Sequence, residues 1–556
     1  MGTVGLSFGS PTSGTGFDVS STVNTIVSNL QNVETPWKNQ LTALQSQDTV
    51  LSNLGTLFST LSNDLSQLTD FQGVLAQKTG SSSDTNVLQL TSASSSATAG
   101  THTVVVNNLA QTASGALDAI ASATDTLSGS ISIQVGTGTA KSITLDSTDN
   151  TLAGLASAIN NASLGVTASV LTDSSGSRLS LVAKNSGAAG KLTVTSSIVD
   201  TANQNTSLAY TSAVTGKDAS LTVDGITLSS ATNTVTNMIP GVTFQLLSAS
   251  TAGSEVQVVI GNYNSGVESA ISTFVTDYNA LVSAINTQQG NDSSGNAEPL
   301  FGSPTLSLLQ QQLLSTVNVR NPNGYFEAPT NTSDVLTGSI TIQVGSGTAQ
   351  QVSLPDAGGT IADLASEINA ANLGVSANVV TDSSGSRLAL YSNTAGSDGA
   401  LTVTSALQDT ATSTAVAYTA TTSDVQILSS LGITVNNDGT LTLDQSSLDS
   451  LLNSDFSGVV GFFQDGGSWG ATISRMLNQA GTSSSTGILK LAQNANSTVE
   501  KNLNANIARE EDLIATQKQH LTEELTKANQ ILQALPSQLE SIDMIYSAIT
   551  GYNQKG

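Results

Sequence analysis

Cysteine is absent from all 556 residues. That excludes disulfides and thiolate chemistry, and it fits a chain that is unfolded for export and then meets an oxidising exterior. Charge is also scarce, at 10% of residues, and aromatics make up only 4%. The charge present is one-sided: 16 Lys plus Arg stand against 41 Asp plus Glu, giving a net charge of −25. Such a surface repels phosphate backbones and anionic lipid, so the expectation is no nucleic acid and no membrane insertion. Only two histidines occur, His102 and His520, and neither has a partner at metal-ligand spacing. No run of about 18 apolar residues is found, so no segment reads as a membrane span. The first residues, MGTVGLSFGSPTSGTG, have neither a basic nor an apolar signal region. If the chain leaves the cell, the expectation is a route that does not need such a signal.

Small polar residues fill the space left by charge, and apolar residues form narrow patterns among them. At the N-terminal end Val19, Val23, Ile26, Leu30 and Val33 follow a 4-3-4-3 spacing. After Pro36 the pattern resumes at Trp37, Leu41, Leu44, Leu51, Leu54, Phe58, Leu61, Leu65 and Leu68. The C-terminal end answers with Val499, Leu503, Ile507, Ile514, Leu521, Leu525, Ala528, Leu532, Leu535, Leu539, Ile542 and Ile549. These are heptad stripes, and a narrow stripe needs a partner helix to bury it. The simplest partner for the first helix is the last, as an intramolecular hairpin. The same stripes are the candidate surfaces for other subunits: Val19, Val23, Ile26, Leu30, Leu41, Leu44, Leu521, Leu525, Leu535, Leu539, Ile542 and Ile549. Pro536 lies inside the last run and predicts a kink or break there.

Between the helical ends the chain repeats itself. Residues 127–202 and 336–411 align without a gap at an offset of 209, with 44 identities in 76 positions. In the first copy Ile131, Ile133 and Val135 alternate with polar residues and predict a strand with one buried face. Leu152, Leu155, Ala156 and Ile159 have helical spacing, with Gly165 as a stop. Val166, Ala168 and Val170 predict a third strand, and Leu179 and Leu181 a fourth, across a turn at Asp173-Ser-Ser-Gly176. Each copy is therefore a ββαββ module, the second with Asp382 and Gly385 at its turn. Around them lie further strands at 218–246, helices at 267–286 and Leu306–Val317, a hairpin at Asp438-Gly439 and a helix from Ser447. The fold class is α+β: long terminal helices forming a coiled-coil leg, and inserted β-rich modules forming a head.

No catalytic constellation accompanies this architecture. Asp173 and Asp382 read as duplicated turn residues, with Arg178 and Arg387 bonding nearby carboxylates or loop carbonyls. GTGTA and GSGTA lack the lysine and helix start of a phosphate loop. No GxSxG serine and no aspartate ladder for calcium is present. The chain reads as a non-enzyme, with no catalytic, cofactor-binding or metal-binding residues and no cofactor.

GTGFDVSSTVNTIVSNLQNVETP (14–36) resembles the opening of the flagellar hook-associated protein 2 family, with Gly16, Asp18, Glu34 and Pro36 at the matching positions. The repeat resembles the flagellin hook IN motif. VTDYNALVSAIN (275–286) and LGITVNNDGTLTLDQSSLDSLL (431–452) are similar to that family's C-terminal region. The resemblance implies a filament cap: a ring of identical subunits at the filament tip that promotes folding and polymerisation of exported flagellin. Its implied partners are flagellin, the hook–filament junction protein and an export chaperone on the C-terminal helices. The implied location is extracellular, at the filament tip, by the flagellar type III route. A hook–filament junction protein, a flagellin-like subunit or a secreted adhesin are the alternative readings. The expected division is a leg at 1–36 and 520–556, and a helical base at 37–75, 266–325 and 426–519. A β-rich head follows at 76–126 and 203–265, with repeat modules at 127–202 and 326–425.

Overall fold

The computed structural model describes residues 15–551, apart from 253, 328–332, 383–384, 395–396, 422–424 and 466. The reading of the first fourteen residues and the two residues between Asp382 and Gly385 lie outside that description. Helix and sheet are both abundant, and the fold is α+β. In chain order the helices are α1 (Val19–Gln31), α2 (Thr35–Thr69), α3 (Leu152–Asn161), α4 (Asn264–Thr287) and α5 (Pro304–Val317). Then come α6 (Ile361–Ala370), α7 (Gln445–Ser454), α8 (Phe456–Gln464), α9 (Trp469–Ala480) and α10 (Ile488–Thr550). The chain divides into two compact units, Met1–Thr69 with Ala270–Gly556, and Asp70–Ser269.

Pro36 falls in the first turn of α2, where its missing N–H costs nothing because that donor has no helical acceptor. The break between α1 and α2 at residues 32–34 is its counterpart upstream. Pro536 does not break the helix: α10 continues through it for all 63 residues. A mid-helix proline costs about 3 kcal/mol. Here strong helix formers flank it (Gln533, Ala534 and Leu535 before, Gln538, Leu539 and Glu540 after), and helix propagation on both sides carries the chain past one lost bond.

In the unit Asp70–Ser269 an antiparallel sheet runs in the order Lys78–Ser82, Val256–Asn262, Gly100–Asn108, Ala219–Val223, Ile226–Ser230. A second, three-stranded sheet orders Thr234–Thr236, Val242–Leu246 and Leu88–Ala93. Alternate residues of both sheets, among them Val104, Leu221, Phe244 and Val258, form one core. The first repeat copy has its own core around Ile131, Leu155, Ile159, Leu179 and Leu181.

The copy explains its own motif. Asn160, at the end of α3, accepts from Ala168 N at 2.9 Å and donates to Ala168 O at 2.8 Å, so its amide stands in for a strand partner. Asn369 does the same for Ala377 in the second copy, at 2.8 Å in both directions. Gln134 and Gln343 close the first hairpin turns by donating to Gly138 O and Gly347 O. Thr151 and Thr360 cap α3 and α6. These are among the positions at which the two copies agree, and each has a structural task.

The duplication extends beyond the 76 aligned positions. Each copy is completed by two further strands, Thr112–Leu117 with Tyr210–Val214 in the first and Gly324–Phe326 with Tyr418–Ala420 in the second. Both pairs place a tyrosine ring over a glycine: any side chain at Gly115 would run into Tyr210, and any at Gly324 into Tyr418. The signal was the shared tripeptide AYT, displaced by 208 rather than 209. Five residues separate the paired Asp200 and Thr206, but only four separate Asp409 and Thr414.

The second copy is seated on helices of its own unit. Asn321, 2% exposed, donates its N–H to Gln426 O at 2.8 Å, so the entering and leaving chains are bonded side by side. The Asn321 side chain accepts from Trp469 N and donates to Phe462 O. Arg320 Nη2 donates to Ser392 O at 2.9 Å and to Gln426 Oε1 at 2.6 Å. Trp469, fully buried, stacks on Phe462 at 5.2 Å and meets Phe274 edge-on at 5.7 Å. A buried polar junction of this kind specifies a geometry as well as a connection.

Candidate partner-helix surface

α1 is poor in helix formers: VSSTVNTIVSNLQ is dominated by β-branched residues, Ser and Asn. It is helical because Asp18 caps it, accepting from Ser21 N at 3.0 Å, and because one face is buried. That face is Val23 and Val27, packed with Ile514 of α10 and flanked by Val19, Leu30, Leu521 and Leu525. The two helices run antiparallel. Phe17 N donates to Asn529 Oδ1 at 2.8 Å, Lys38 meets Glu511 at 3.3 Å, and Asn496 donates to Asp48 at 2.8 Å.

The structure thus brings together Val19, Val23, Leu30, Leu521 and Leu525 of the candidate residues. Ile26, Leu41 and Leu44 are half-buried and stand outside that cluster. Leu535 is half-buried too, while Leu539, Ile542 and Ile549 are 45%, 60% and 78% exposed. The reason is register: with residue 17 opposite 529, the chain from 535 onward lies past the start of α1. The sequence reading missed Val27, whose signal was its place four residues after Val23. It counted Val33 instead, which is 53% exposed because α1 has already ended.

The open part of α10 is a surface in its own right. Ala528, Leu532, Leu535, Leu539, Ile542, Tyr546 and Ile549 follow a 4-3-4-3-4-3 spacing. Tyr546, 55% exposed, was missed although it lies four residues after Ile542 and three before Ile549. Ile531 and Ile545, 65% and 59% exposed, broaden the stripe, and charge is limited to Glu540 and Asp543. So long an apolar face is uncommon on a solvated helix.

Charge enters at the elbow between α1 and α2. Lys38 Nζ lies 2.6 Å from Glu34 Oε2 and 3.3 Å from Glu511 Oε1. Glu34, then Glu511, hold the Lys38 ammonium above the usual lysine range. Asp173 of the first repeat copy, by contrast, sits at a strand turn opposite Gly176. Asp173 accepts from Ser175, which lowers its pKa, and Arg178 reaches it at 3.4 Å. Arg387, expected to bond a carboxylate or carbonyls, lies over the Tyr325 ring at 5.4 Å. His102 pairs with Asp224 at 2.7 Å beside a hairpin turn. Among the described residues no group of three or more His, Cys, Asp or Glu is placed to hold a metal ion, and no helix is long and apolar enough to cross a membrane.

Comparison with known families gives a match in order along the chain. The flagellar hook-associated protein 2 N-terminus matches residues 15–113, and the C-terminus of the same family matches 216–328 and 383–547, half of the chain. The chain belongs to the flagellar hook-associated protein 2 family. The flagellin hook IN motif matches twice, at 130–185 and 339–394. Its second occurrence begins within the stretch, 329–382, that the family's C-terminal match skips. The B-type flagellar hook-associated protein 2 of Pseudomonas aeruginosa PAO1 is 34% identical over 277 residues, 45% of this chain and 58% of that protein. The A-type protein of Pseudomonas aeruginosa is 33% identical over 132 residues, 24% of this chain and 27% of that protein. The chain thus spans less than two thirds of either relative. Among solved structures, the Escherichia coli flagellar cap protein FliD (domains D1-D2-D3) is similar with a TM-score of 0.47 at 20% identity, covering 81% of this chain and 99% of that one. FliD (HAP2) of Pseudomonas aeruginosa PAO1 gives a TM-score of 0.30 at 30% identity, covering 38% and 96%.

Proposed function

We propose that this chain is the structural cap of a bacterial flagellar filament, an oligomer at the distal tip beneath which exported flagellin folds and polymerises. The observation that carries this is the ordered match to both ends of the hook-associated protein 2 family. It disfavours a junction protein, a flagellin-like subunit and an adhesin. The open apolar stripe of α10 supports it from the side of physics, since a leg that engages successive subunits needs a surface uncovered in the single chain.

The candidate partner surfaces are the helical stripes at both ends, with flagellin, the junction protein, further copies of this chain and an export chaperone as partners. Sparse charge suits such a surface, because contacts made mainly by apolar packing are weak singly and exchange readily. In this reading 1–36 with 520–556 form the leg and 37–75, 266–325 and 426–519 the helical base. Residues 76–126 with 203–265 form the head, and 127–202 and 326–425 are inserted modules. The location is extracellular, reached by the flagellar export route, and the role is assembly rather than catalysis.

The test is deletion of the gene in its source bacterium, with flagellin measured as monomer in the medium and as filament on the cell. Abundant soluble flagellin with few filaments, reversed by the added protein, is the expected result. Normal filaments with lost surface attachment would overturn it in favour of an adhesin.

A further inference from the structure

The elbow between α1 and α2 holds a carboxylate where an apolar residue would be expected. The Glu34 side chain is 2% exposed, at the corner where the end of α1, the start of α2 and the middle of α10 meet. Its Oε2 is bonded to Lys38, while its Oε1 is buried without a hydrogen-bond partner. A buried carboxylate with half its hydrogen-bonding capacity unmet depends heavily on its counter-charge. That charge is a single ammonium one helical turn ahead, 51% exposed, whose other contact is Glu511 on α10, itself 57% exposed.

What else holds α1 is small. Among the described residues, Val23, Val27 and Ile514 are the buried members of its apolar cluster with α10. A 13-residue helix of β-branched and hydroxyl residues does not persist in water without a docking surface.

We propose that Glu34, Lys38 and Glu511 form a charge latch: α1 stays seated on α10 only while Lys38 neutralises the carboxylate buried at the elbow. Glu34 and Lys38 are positioning residues in this device. When the latch opens, α1 leaves and uncovers Ile514, Leu521 and Leu525, which extends the open stripe of α10 towards the elbow. The value of that surface to a partner helix rests on the function proposed above; the latch itself does not.

The absence of cysteine supplies the test. Val23→Cys, 2% exposed when α1 is docked, gives the chain one thiol, and its rate of reaction with N-ethylmaleimide reports undocking. In the Lys38→Met background the rate is expected to rise about tenfold or more, since an unpaired buried charge favours the open state. Adding Glu34→Gln to Lys38→Met is expected to bring it back to near the parent rate, and Lys38→Arg to leave it unchanged. A thiol still protected in Lys38→Met would overturn the latch. So would a Glu34→Gln/Lys38→Met protein as reactive as Lys38→Met alone. Should Lys38→Met unfold the whole unit by circular dichroism, recovery with Glu34→Gln supports the latch and failure to recover overturns it. The labelling uses the purified chain, so a latch that behaves as expected beside a protein that fails to restore filaments would refute the cap reading alone.

Discussion

The backbone N–H of Phe17 donates to the side-chain oxygen of Asn529 at 2.8 Å, joining two residues 512 positions apart. That bond fixes the register of the terminal helices. It leaves about twenty residues of α10 beyond the entry to α1, and it explains why the two apolar stripes read from the sequence do not cover each other throughout. The stripe is continuous along α10, but its stretch from Ile514 to Leu525 is covered by α1 and its C-terminal part is open.

Val27→Asp is expected to undock α1 more completely than Ile26→Asp, because Val27 is 8% exposed in the α1–α10 cluster and Ile26 is half-buried outside it. A buried, unpaired carboxylate costs several kcal/mol. The helix leaves instead of absorbing that cost, so the loss is limited to the helicity of α1 and its contact. Far-ultraviolet circular dichroism and limited proteolysis near residues 15–31 check this, with the melting of the unit Asp70–Ser269 unchanged.

Gly55→Ala is expected to destabilise, against the usual gain of about 0.5–1 kcal/mol for replacing a helix-interior glycine. A Cβ at Gly55 would sit 2.7 Å from Thr482 Cγ2, and overpacking of this kind costs about 1–3 kcal/mol. Thr482→Ala removes that methyl and the hydroxyl at 2.9 Å, so the double variant should recover most of the loss in a denaturant titration.

Asn160→Ala is expected to cost about 1–3 kcal/mol in the first repeat copy, since both backbone groups of Ala168 lose their partner. Asn369→Ala should do the same in the second copy, where the geometry is repeated. Hydrogen exchange at Ala168 and Ala377 reads the two copies separately; a large effect in only one would mean that the copies use their asparagines differently.

Asp64 gives a pH dependence with a definite sign. Burial, then a hydrogen bond with Asp277 and the charge of that carboxylate, raise Asp64 from 3.8 to about 6. The folded chain therefore binds more protons than the unfolded one between those values. The contribution to stability is fully present below pH 3.8 and is lost as pH rises through about 6. Asp64→Asn should flatten this part of the stability profile and raise the midpoint of thermal unfolding at pH 7. A profile between pH 4 and 7 that Asp64→Asn leaves unchanged would count against a shared proton.

Much of the architecture was legible because its signals are local. Heptad spacing marked α2 and α10, alternation marked the strands of each repeat, and the Asp438-Gly439 turn marked a hairpin that forms as expected between Ile433–Val435 and Leu441–Leu443. The helix runs on through Pro536, where a local rule allowed a break, because the helix around it is long. The full extent of the repeat was hidden by one extra residue before Thr206, and by a glycine–tyrosine pairing that only the sheet brings together.

Sequence by itself determined that this chain has helical ends, a duplicated ββαββ module, few charges and a family signature spread along its length. These follow from periodicity and composition, which act over a few residues or along one element. Tertiary structure alone decided which part of the α10 stripe is covered, that Glu34 is buried beside Lys38, and that Asn321, Gln426 and Trp469 seat the second module on helices of its own unit. Those are relations between residues tens to hundreds of positions apart. Register, burial and hydrogen-bond satisfaction are settled only when distant segments compete for the same surface.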